Sequence, residues 1–273
     1  MVNEFEVPPG IADHARRFHA SGGQPAPARL AATVLLLRPA PATGDFEVYV
    51  IRRVAAMAFG GMYAFPGGSV DPSDSRPDLA WVGQADLASR LATTPERAQA
   101  IVCAAAREVF EEAGVLLAGP TAGTVVGDVS GDRWETARQA LVKRELGFAD
   151  LLRDNDLTLR SDLLAPWSRW ITPESEPRRF DTYFLVAALP LGQVTRDVSG
   201  EADHTMWTRP ADAVARAEGG EVAMLPPTIV TLQQVAACPN IEAVFAAAAS
   251  RDAATPVNVR LDVTGDRPRF TVD

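Results

Sequence analysis

One predicted helix, over residues 95–113, constrains the fold of this chain more than any other feature. Thr94 followed by Pro95 is a typical helix start, because proline suits the first helical position, and Gly114 suits the position where a helix stops. Much of the helix is apolar, as in the run "AIVCAAA", and such a segment has to be buried in a core. One face near its end carries a cluster of acidic side chains instead.

Three glutamates, Glu108, Glu111 and Glu112, share that face, because positions i, i+3 and i+4 lie together on a helix. Repulsion and desolvation oppose such crowding unless positive charge is close by. A solvated acidic face supported by salt bridges is the simplest interpretation of a charge run. However, Arg107 is the one cation of this segment within reach of the three carboxylates. The spacing therefore favours a bound divalent cation with oxygen ligands, Mg²⁺ or Mn²⁺.

Composition narrows the class of protein. The 273 residues are 47% hydrophobic and 22% charged, as in a soluble globular protein with a sizeable core. The net charge of −9 argues against binding nucleic acid through bulk electrostatics. The N-terminal segment lacks the features of a signal peptide, and no apolar run approaches the ~20 residues of a membrane span. We expect no membrane association and a cytoplasmic location.

The order of predicted elements indicates an α/β or α+β domain, because strands and helices are mixed without strict alternation. We divide the chain into an N-terminal arm at 1–28, a main domain at 29–250 and a strand-like C-terminal tail at 251–273. The predicted strands lie at 30–38, 46–54, 167–172, 179–189 and 204–209. The other predicted helices lie at 132–146, 148–153, 210–220, 226–238 and 241–251.

Two segments together resemble the signature of the Nudix hydrolase family. The signature is a glycine, five residues, a glutamate, seven residues and then R-E-U-x-E-E-x-G-U, where U is a bulky aliphatic residue. "REVFEEAGV" (107–115) matches its second half at every fixed position, and "AFPGGSVD" (64–71) supplies the glycine. There are two departures. Gly68 precedes Arg107 by 39 positions instead of 14, so about 25 residues are inserted at roughly 69–93, and Gln99 stands where the family has a glutamate.

The resemblance implies an α/β/α sandwich with a mixed central sheet and hydrolysis of a diphosphate linked to another group. It also implies that Glu108, Glu111 and Glu112, with the Gly68 carbonyl, bind the metal, that Arg107 orients the glutamates and that Glu111 takes part in catalysis. A further glutamate from a later loop often serves as ligand or base, and Glu201 in "SGEADHTMW" is the candidate. An ordinary surface loop is the alternative interpretation of Glu201.

The long insertion and the later text "W..WITP....RRFDT.F" resemble one branch of the family, that of the mammalian peroxisomal coenzyme A diphosphatase, over roughly residues 30–237. This resemblance implies cleavage of coenzyme A or acyl-CoA to 3′,5′-ADP and a 4′-phosphopantetheine. The alternatives are a hydrolase of another nucleoside diphosphate linked to X, such as ADP-ribose, and a non-catalytic nucleotide sensor. The insertion around Trp81 predicts either a lid or a homodimer contact.

Two arginines are candidates for contacting the substrate's phosphates, because a guanidinium group matches phosphate bidentately. Arg179 opens a predicted strand in "EPRRFDTYF", where alternation places only one of two adjacent arginines on the pocket side. Arg53 and Arg52 are also adjacent, just before the glycine segment, so alternation again places only one of the two on the pocket side. A surface charge is the alternative for each.

Overall fold

A mixed ten-stranded sheet forms the centre of the computed structural model, which describes residues 4–41, 45–55, 59–83, 85–197, 200, 202–265 and 267–272. A two-stranded pair, β6–β7, lies apart from this sheet. The strands are β1 (Glu4–Glu6), β2 (Arg29–Pro39), β3 (Phe46–Arg53), β4 (Tyr63–Ala64), β5 (Gly67–Ser69), β6 (Ala118–Gly119), β7 (Thr158–Leu159), β8 (Ala165–Ile171), β9 (Phe180–Ala188), β10 (Ala202–Thr208), β11 (Pro256–Asp262) and β12 (Arg269–Val272).

The sheet follows the order β1-β12-β11-β8-β9-β2-β3-β10, with β4 added to β3 and β5 added to β2. The β2–β9 and β11–β8 pairs are parallel, and the other pairs are antiparallel. The predicted arm and tail therefore both supply strands to the sheet, since β1 pairs with β12 and β11 pairs with β8.

Helices cover both faces of the sheet. They are α1 (Pro9–Ala20), α2 (Leu87–Arg90), α3 (Pro95–Ala113), α4 (Asp132–Val142), α5 (Phe148–Asp154), α6 (Pro210–Glu218), α7 (Pro226–Ala236) and α8 (Ile241–Ser250), with short 3-10 helices at Pro72–Ser75 and Ser161–Leu163. Strand β2 shows why two layers form. Its fully buried run alternates, so that Val34 and Leu36 pack with the α3 layer and Leu35 and Leu37 with the α7–α8 layer. The predicted α/β/α sandwich with a mixed sheet is confirmed.

Helix α3 begins and ends as its sequence predicts. The Thr94 hydroxyl accepts a hydrogen bond from the Arg97 amide at 3.3 Å, and Pro95 opens the helix. Gly114 ends it in the left-handed region, with φ of 67°, where its amide donates to the Phe110 carbonyl.

The insertion is part of the body of the domain. Leu79, Leu87 and Leu91 are buried in the core on the α3 side. The insertion also forms a bridge to β7, where the Val82 amide donates to the Leu159 carbonyl at 2.8 Å. The insertion is therefore packed beside α3 as part of the core, which differs from the lid that was one of the two predictions for it.

Among the described residues, no single helix has the length and apolar composition to cross a membrane, while α7 and α8, bent by 114° at their junction, meet that test only as a pair.

Candidate active site

The acidic face of α3 is covered by other parts of the chain. Glu108 is 9% exposed and Glu112 is 4% exposed, and the Glu111 side chain keeps 14% of its accessible surface. Carboxylates are buried to this extent only where they are paired, hydrogen-bonded or bound to a cation. The interpretation of this cluster as a solvated surface face is therefore wrong.

Strand β5 covers two of the glutamates with backbone. The Gly67 amide donates to Glu112 Oε2 at 2.8 Å. A Cβ atom added to Gly68 would lie 2.7 Å from Glu108 Cδ, which is closer than real Cβ atoms approach. Any other residue at position 68 would displace the Glu108 carboxylate from this position, and glycine lets the strand approach it.

Arg107 lies between the glutamates and the insertion. Its Nη1 donates to Glu108 Oε1 at 2.8 Å and to Glu111 Oε1 at 3.1 Å, and its Nη2 donates to the Ser69 carbonyl at 2.9 Å. Burial disfavours the charged guanidinium, but the Asp74 hydrogen bonds and the neighbouring negative charges outweigh it and raise the pKa of Arg107. Arg107 is therefore held as a cation that fixes two carboxylates.

Asp74, from the insertion, is a site residue that the sequence did not reveal. It is fully buried. Its carboxylate accepts hydrogen bonds from Arg107 Nε at 3.0 Å and from Nη2 at 2.9 Å, so the two side chains form a bidentate pair. The 3-10 helix that contains Asp74 is stabilised by a capping box. The Asp71 side chain accepts a hydrogen bond from the Ser73 amide, and Asp74 Oδ2 accepts one from the Asp71 amide at 2.8 Å. The spacing "DPSD" predicts such a turn, but nothing local in the sequence indicates that the turn faces Arg107.

Gln99 and Cys103 also join α3 to the insertion. Gln99 Nε2 donates to the Arg76 carbonyl at 3.1 Å, so the residue in place of the family glutamate holds the backbone next to Asp74. The Cys103 thiol donates to Asp74 Oδ1 at 3.6 Å. Burial and the nearby negative charge of Asp74 raise the pKa of Cys103. The thiol therefore stays protonated and able to donate.

Helix α4 stabilises the other end of α3. Arg138 is buried, and its Nη1 donates to the Glu111 carbonyl at 2.9 Å. Its other nitrogens form a bidentate pair with Glu135, and the hydrogen bond from Arg138 lowers the pKa of Glu135 to about 2. A cation at a helix C-terminus also offsets the helix dipole.

A polar pocket of about 440 Å³ opens beside these groups. It is lined by five of the predicted site residues and by further polar groups from β2, β9 and the segment after α4. The five predicted residues are Gly68, Arg107, Glu108, Glu111 and Arg53. Arg144 also lines it and forms an ion pair with Asp71. Sequence reasoning did not single out Arg144, because it lies within the helix predicted at 132–146, in an ordinary charged segment, whereas the observed helix ends at Val142.

Among the predicted residues that the structure describes, Glu112 and Arg179 do not line this pocket. Arg179 donates to the Thr172 carbonyl at 3.1 Å and to the Ala26 carbonyl at 2.8 Å, and it lines a different cavity. The Arg179 side chain therefore faces away from the polar pocket. Arg52, the neighbour of Arg53, forms an ion pair with Asp203 at 2.6 Å. Glu201 lies outside the described residues, so its role stays a prediction.

A second cavity of about 180 Å³, largely apolar, adjoins the polar pocket. The two cavities share five lining residues, which are Thr33, Arg53, Gly67, Phe180 and Thr182. A ligand bound in the polar pocket therefore has an apolar compartment next to it.

The donor set fits a hard divalent cation. It consists of carboxylate oxygens within one turn of α3 beside a glycine backbone that leaves no space for a side chain. Within the described part of the chain, no three acidic, histidine or cysteine side chains already form a metal cluster. In this conformation the glutamate oxygens are held instead by Arg107 and the Gly67 amide.

A mixed sheet lies between two helical layers, and an R-E-x-x-E-E helix face packs against a glycine strand, which is the arrangement that the Nudix signature implies. The family model described as the NUDT19 Nudix domain matches residues 82–235, which is more than half of the chain. The chain belongs to the Nudix hydrolase family and is an enzyme of that family. Nudix hydrolases generally use divalent metal ions.

Similar proteins include both curated enzymes and a solved structure. The chain is 24% identical over 230 residues to acyl-coenzyme A diphosphatase NUDT19 of Xenopus laevis, covering 71% of this chain and 60% of that protein. It is 26% identical over 238 residues to the Homo sapiens protein of the same name, covering 73% of this chain and 62% of that one. The chain thus spans less than two thirds of the length of these relatives. A crystal structure of a NUDIX hydrolase from Alicyclobacillus acidocaldarius is 31% identical, with a TM-score of 0.67, and the match covers 81% of this chain and 96% of that one.

Proposed function

We propose that this chain is a divalent-metal-dependent diphosphatase acting on coenzyme A or acyl-CoA, with 3′,5′-ADP and a 4′-phosphopantetheine as products. The observation that carries the proposal is the pocket formed by Gly68, Glu108 and Glu111, in which buried carboxylates, basic side chains and an adjoining apolar cavity meet. The acyl-coenzyme A diphosphatase names of the Xenopus and human relatives support this substrate class.

The residues that would hold Mg²⁺ or Mn²⁺ are Glu108, Glu111 and Glu112 together with the backbone of Gly68. A bound divalent ion lowers the pKa of a water nucleophile and neutralises charge developing on phosphate oxygens. The chain's own contribution is preorganisation. Arg107 fixes Glu108 and Glu111, and the Gly67 amide fixes Glu112, so the carboxylates do not have to be reoriented during the reaction.

Positive charge at the rim of the pocket would bind the diphosphate. Arg53, at the end of β3, and Arg144, after α4, line the pocket from opposite elements. A guanidinium group pairs with two phosphate oxygens at once, so these two side chains suit a diphosphate held between them. Because the net charge of the chain is −9, binding of an anionic substrate requires such a local cluster of positive charge. We keep Glu201 as the proposed general base.

The test is hydrolysis by the purified full-length chain with Mg²⁺, using coenzyme A, an acyl-CoA, ADP-ribose and NADH at equal concentration. We expect coenzyme A or acyl-CoA to give the highest kcat/KM, with 3′,5′-ADP identified by chromatography. Glu111→Gln should lower the rate by at least about 100-fold, whereas Glu242→Gln, at an exposed position of α8, should leave it unchanged.

Two outcomes would overturn the proposal in different ways. Turnover of ADP-ribose or NADH without turnover of coenzyme A would keep the enzyme class and reject the substrate. Tight binding of a nucleotide without hydrolysis of any of the four compounds would favour the nucleotide sensor.

A further inference from the structure

Glu176 is a buried acidic residue that the proposed reaction does not use. It is 9% exposed, and its Oε1 has no hydrogen-bond partner among the described residues. It lies in the loop between β8 and β9, where its amide donates to the Pro173 carbonyl at 3.2 Å and forms a turn. An unpaired buried acceptor is costly and rare in native proteins, so this one requires an explanation.

The explanation lies in the position of Glu176 in the lining of the apolar cavity. Aromatic residues from several parts of the chain line the same cavity, with Phe65, Trp170, Phe180 and Phe184 among them. Burial raises the pKa of Glu176, and the nearby His14 opposes that shift only partly. The carboxyl group is thus placed in an aromatic compartment, next to the pocket that would hold the diphosphate.

We propose that this cavity binds the purine base of the substrate and that Glu176 accepts a hydrogen bond from the amino group of the base. The proposal rests on the proposed function, because the base has to be joined to the diphosphate that occupies the polar pocket. An aminopurine has two apolar faces for the aromatic rings and an N–H edge for the Glu176 carboxyl group. An alkyl chain would fill the apolar space but would offer no hydrogen-bond donor to that carboxyl group.

The size of the cavity fits part of a ligand and not a whole one. Its volume of about 180 Å³ is below the ~300–1,000 Å³ of pockets that enclose complete small ligands. The five residues that it shares with the polar pocket, with Thr33 and Arg53 among them, place the cavity where a group attached to the diphosphate would extend.

The test compares ADP with purine riboside 5′-diphosphate, which differs by the absence of the amino group. Binding to the full-length chain is measured by calorimetry, so the result does not depend on turnover. The wild-type chain should bind ADP about tenfold more tightly than the deamino compound. In Glu176→Met this preference should fall to within about twofold, mainly through weaker binding of ADP.

Two further variants control the measurement. Glu176→Gln keeps an accepting oxygen and should retain the preference for ADP, and it also serves if the methionine variant is unstable. Glu174→Met, at an exposed position of the same loop, should bind both compounds as the wild type does.

An unchanged preference in Glu176→Met, or equal weakening for both compounds, would overturn the proposal. Tighter binding of a long-chain acyl-CoA to Glu176→Met, with the ADP preference unchanged, would assign the cavity to the acyl group instead. Failure of the proposed function would show differently, as retained ADP preference with no hydrolysis of any diphosphate.

Discussion

Asp74→Asn is the substitution that tests how the insertion supports the site. Asp74 receives two hydrogen bonds from Arg107, at 3.0 and 2.9 Å, and one from the Asp71 amide at 2.8 Å. Asparagine has nearly the same shape but only one accepting oxygen. If that oxygen stays opposite the Asp71 amide, the new amide nitrogen faces the Nε–H donor of Arg107, and one charge-assisted bond is lost.

The expected loss of stability follows from these contacts. A hydrogen bond to a charged group contributes about 1.5–3 kcal/mol. Removing one partner of a buried ion pair costs about 3–5 kcal/mol when the other charge is left alone. Arg107 is not left alone, because Glu108 and Glu111 remain within 2.8 and 3.1 Å of its Nη1. We therefore expect the free energy of unfolding to fall by about 2–3 kcal/mol, which a domain with ~5–15 kcal/mol of stability survives.

The effect on activity has a different cause. Without Asp74 on one side, the guanidinium of Arg107 is free to move toward Glu108 and Glu111 and to compete for their oxygens. Loss of a group that orients metal ligands typically costs about 10–100-fold in metal affinity or activity. We expect the Mg²⁺ concentration for half-maximal hydrolysis to rise by about tenfold or more, while kcat at saturating Mg²⁺ changes less.

The assay combines urea unfolding with initial rates measured across a Mg²⁺ titration. Asp78→Asn is the matched control, because Asp78 lies in the same insertion and forms a bidentate pair with Arg76 on the exposed surface. Its substitution should change neither the Mg²⁺ dependence nor the rate. A folded Asp74→Asn protein with wild-type Mg²⁺ dependence would refute the reasoning, and Asp74 would then be a structural residue only.

Three further substitutions test single features of the site. Glu112→Gln keeps an acceptor for the Gly67 amide but removes a negative charge, so kcat/KM should fall by about 100-fold in a hydrolysis assay. The free energy of unfolding in urea should change by less than about 1 kcal/mol. A large loss of stability with full activity would contradict this expectation. Gly68→Ala places a Cβ against the Glu108 carboxylate and should weaken Mg²⁺ binding measured by calorimetry, whereas unchanged affinity would show that the carboxylate moves at no cost. Gly114→Ala should lower the free energy of unfolding by about 1–2 kcal/mol, because alanine resists a φ of 67°, and Gly114→Asn should lose less.

The fold was largely predictable because local patterns and burial agree. Helix α3 has a start signal, a stop signal and an apolar face, and the structure bounds it at Pro95 and Ala113, next to the predicted stop. The strand predicted at 30–38 is observed as Arg29–Pro39, and its continuous apolar run suits a central strand buried on both faces. The pairing of β1 with β12 was not predictable, because it joins the two ends of the chain through short strands.

The candidate site was predictable where it is local and not where it is assembled. Glu108, Glu111 and Glu112 are adjacent in sequence and on one helix face, so their spacing alone indicates a shared role. The assignment of Arg179 depended on which side of a strand edge it occupies, and a shift of one residue reverses that side. The cavity that Glu176 lines also includes Phe65, Leu225 and Phe270, which are far from it in sequence, and no local pattern indicates that these segments enclose one cavity.

The two departures from the family signature turn out to be physically connected. Gln99 has lost the carboxylate that the signature carries at that position, and the insertion brings in Asp74, a fully buried carboxylate bonded to Arg107. Gln99 itself donates to Arg76, two residues after Asp74, so the substituted residue helps to position the inserted one. Either departure considered alone suggests a weakened site. In the structure, Arg107 has three carboxylate partners, which are Asp74, Glu108 and Glu111. The spacing of the motif does not indicate Asp74, because it is 33 positions away in the chain.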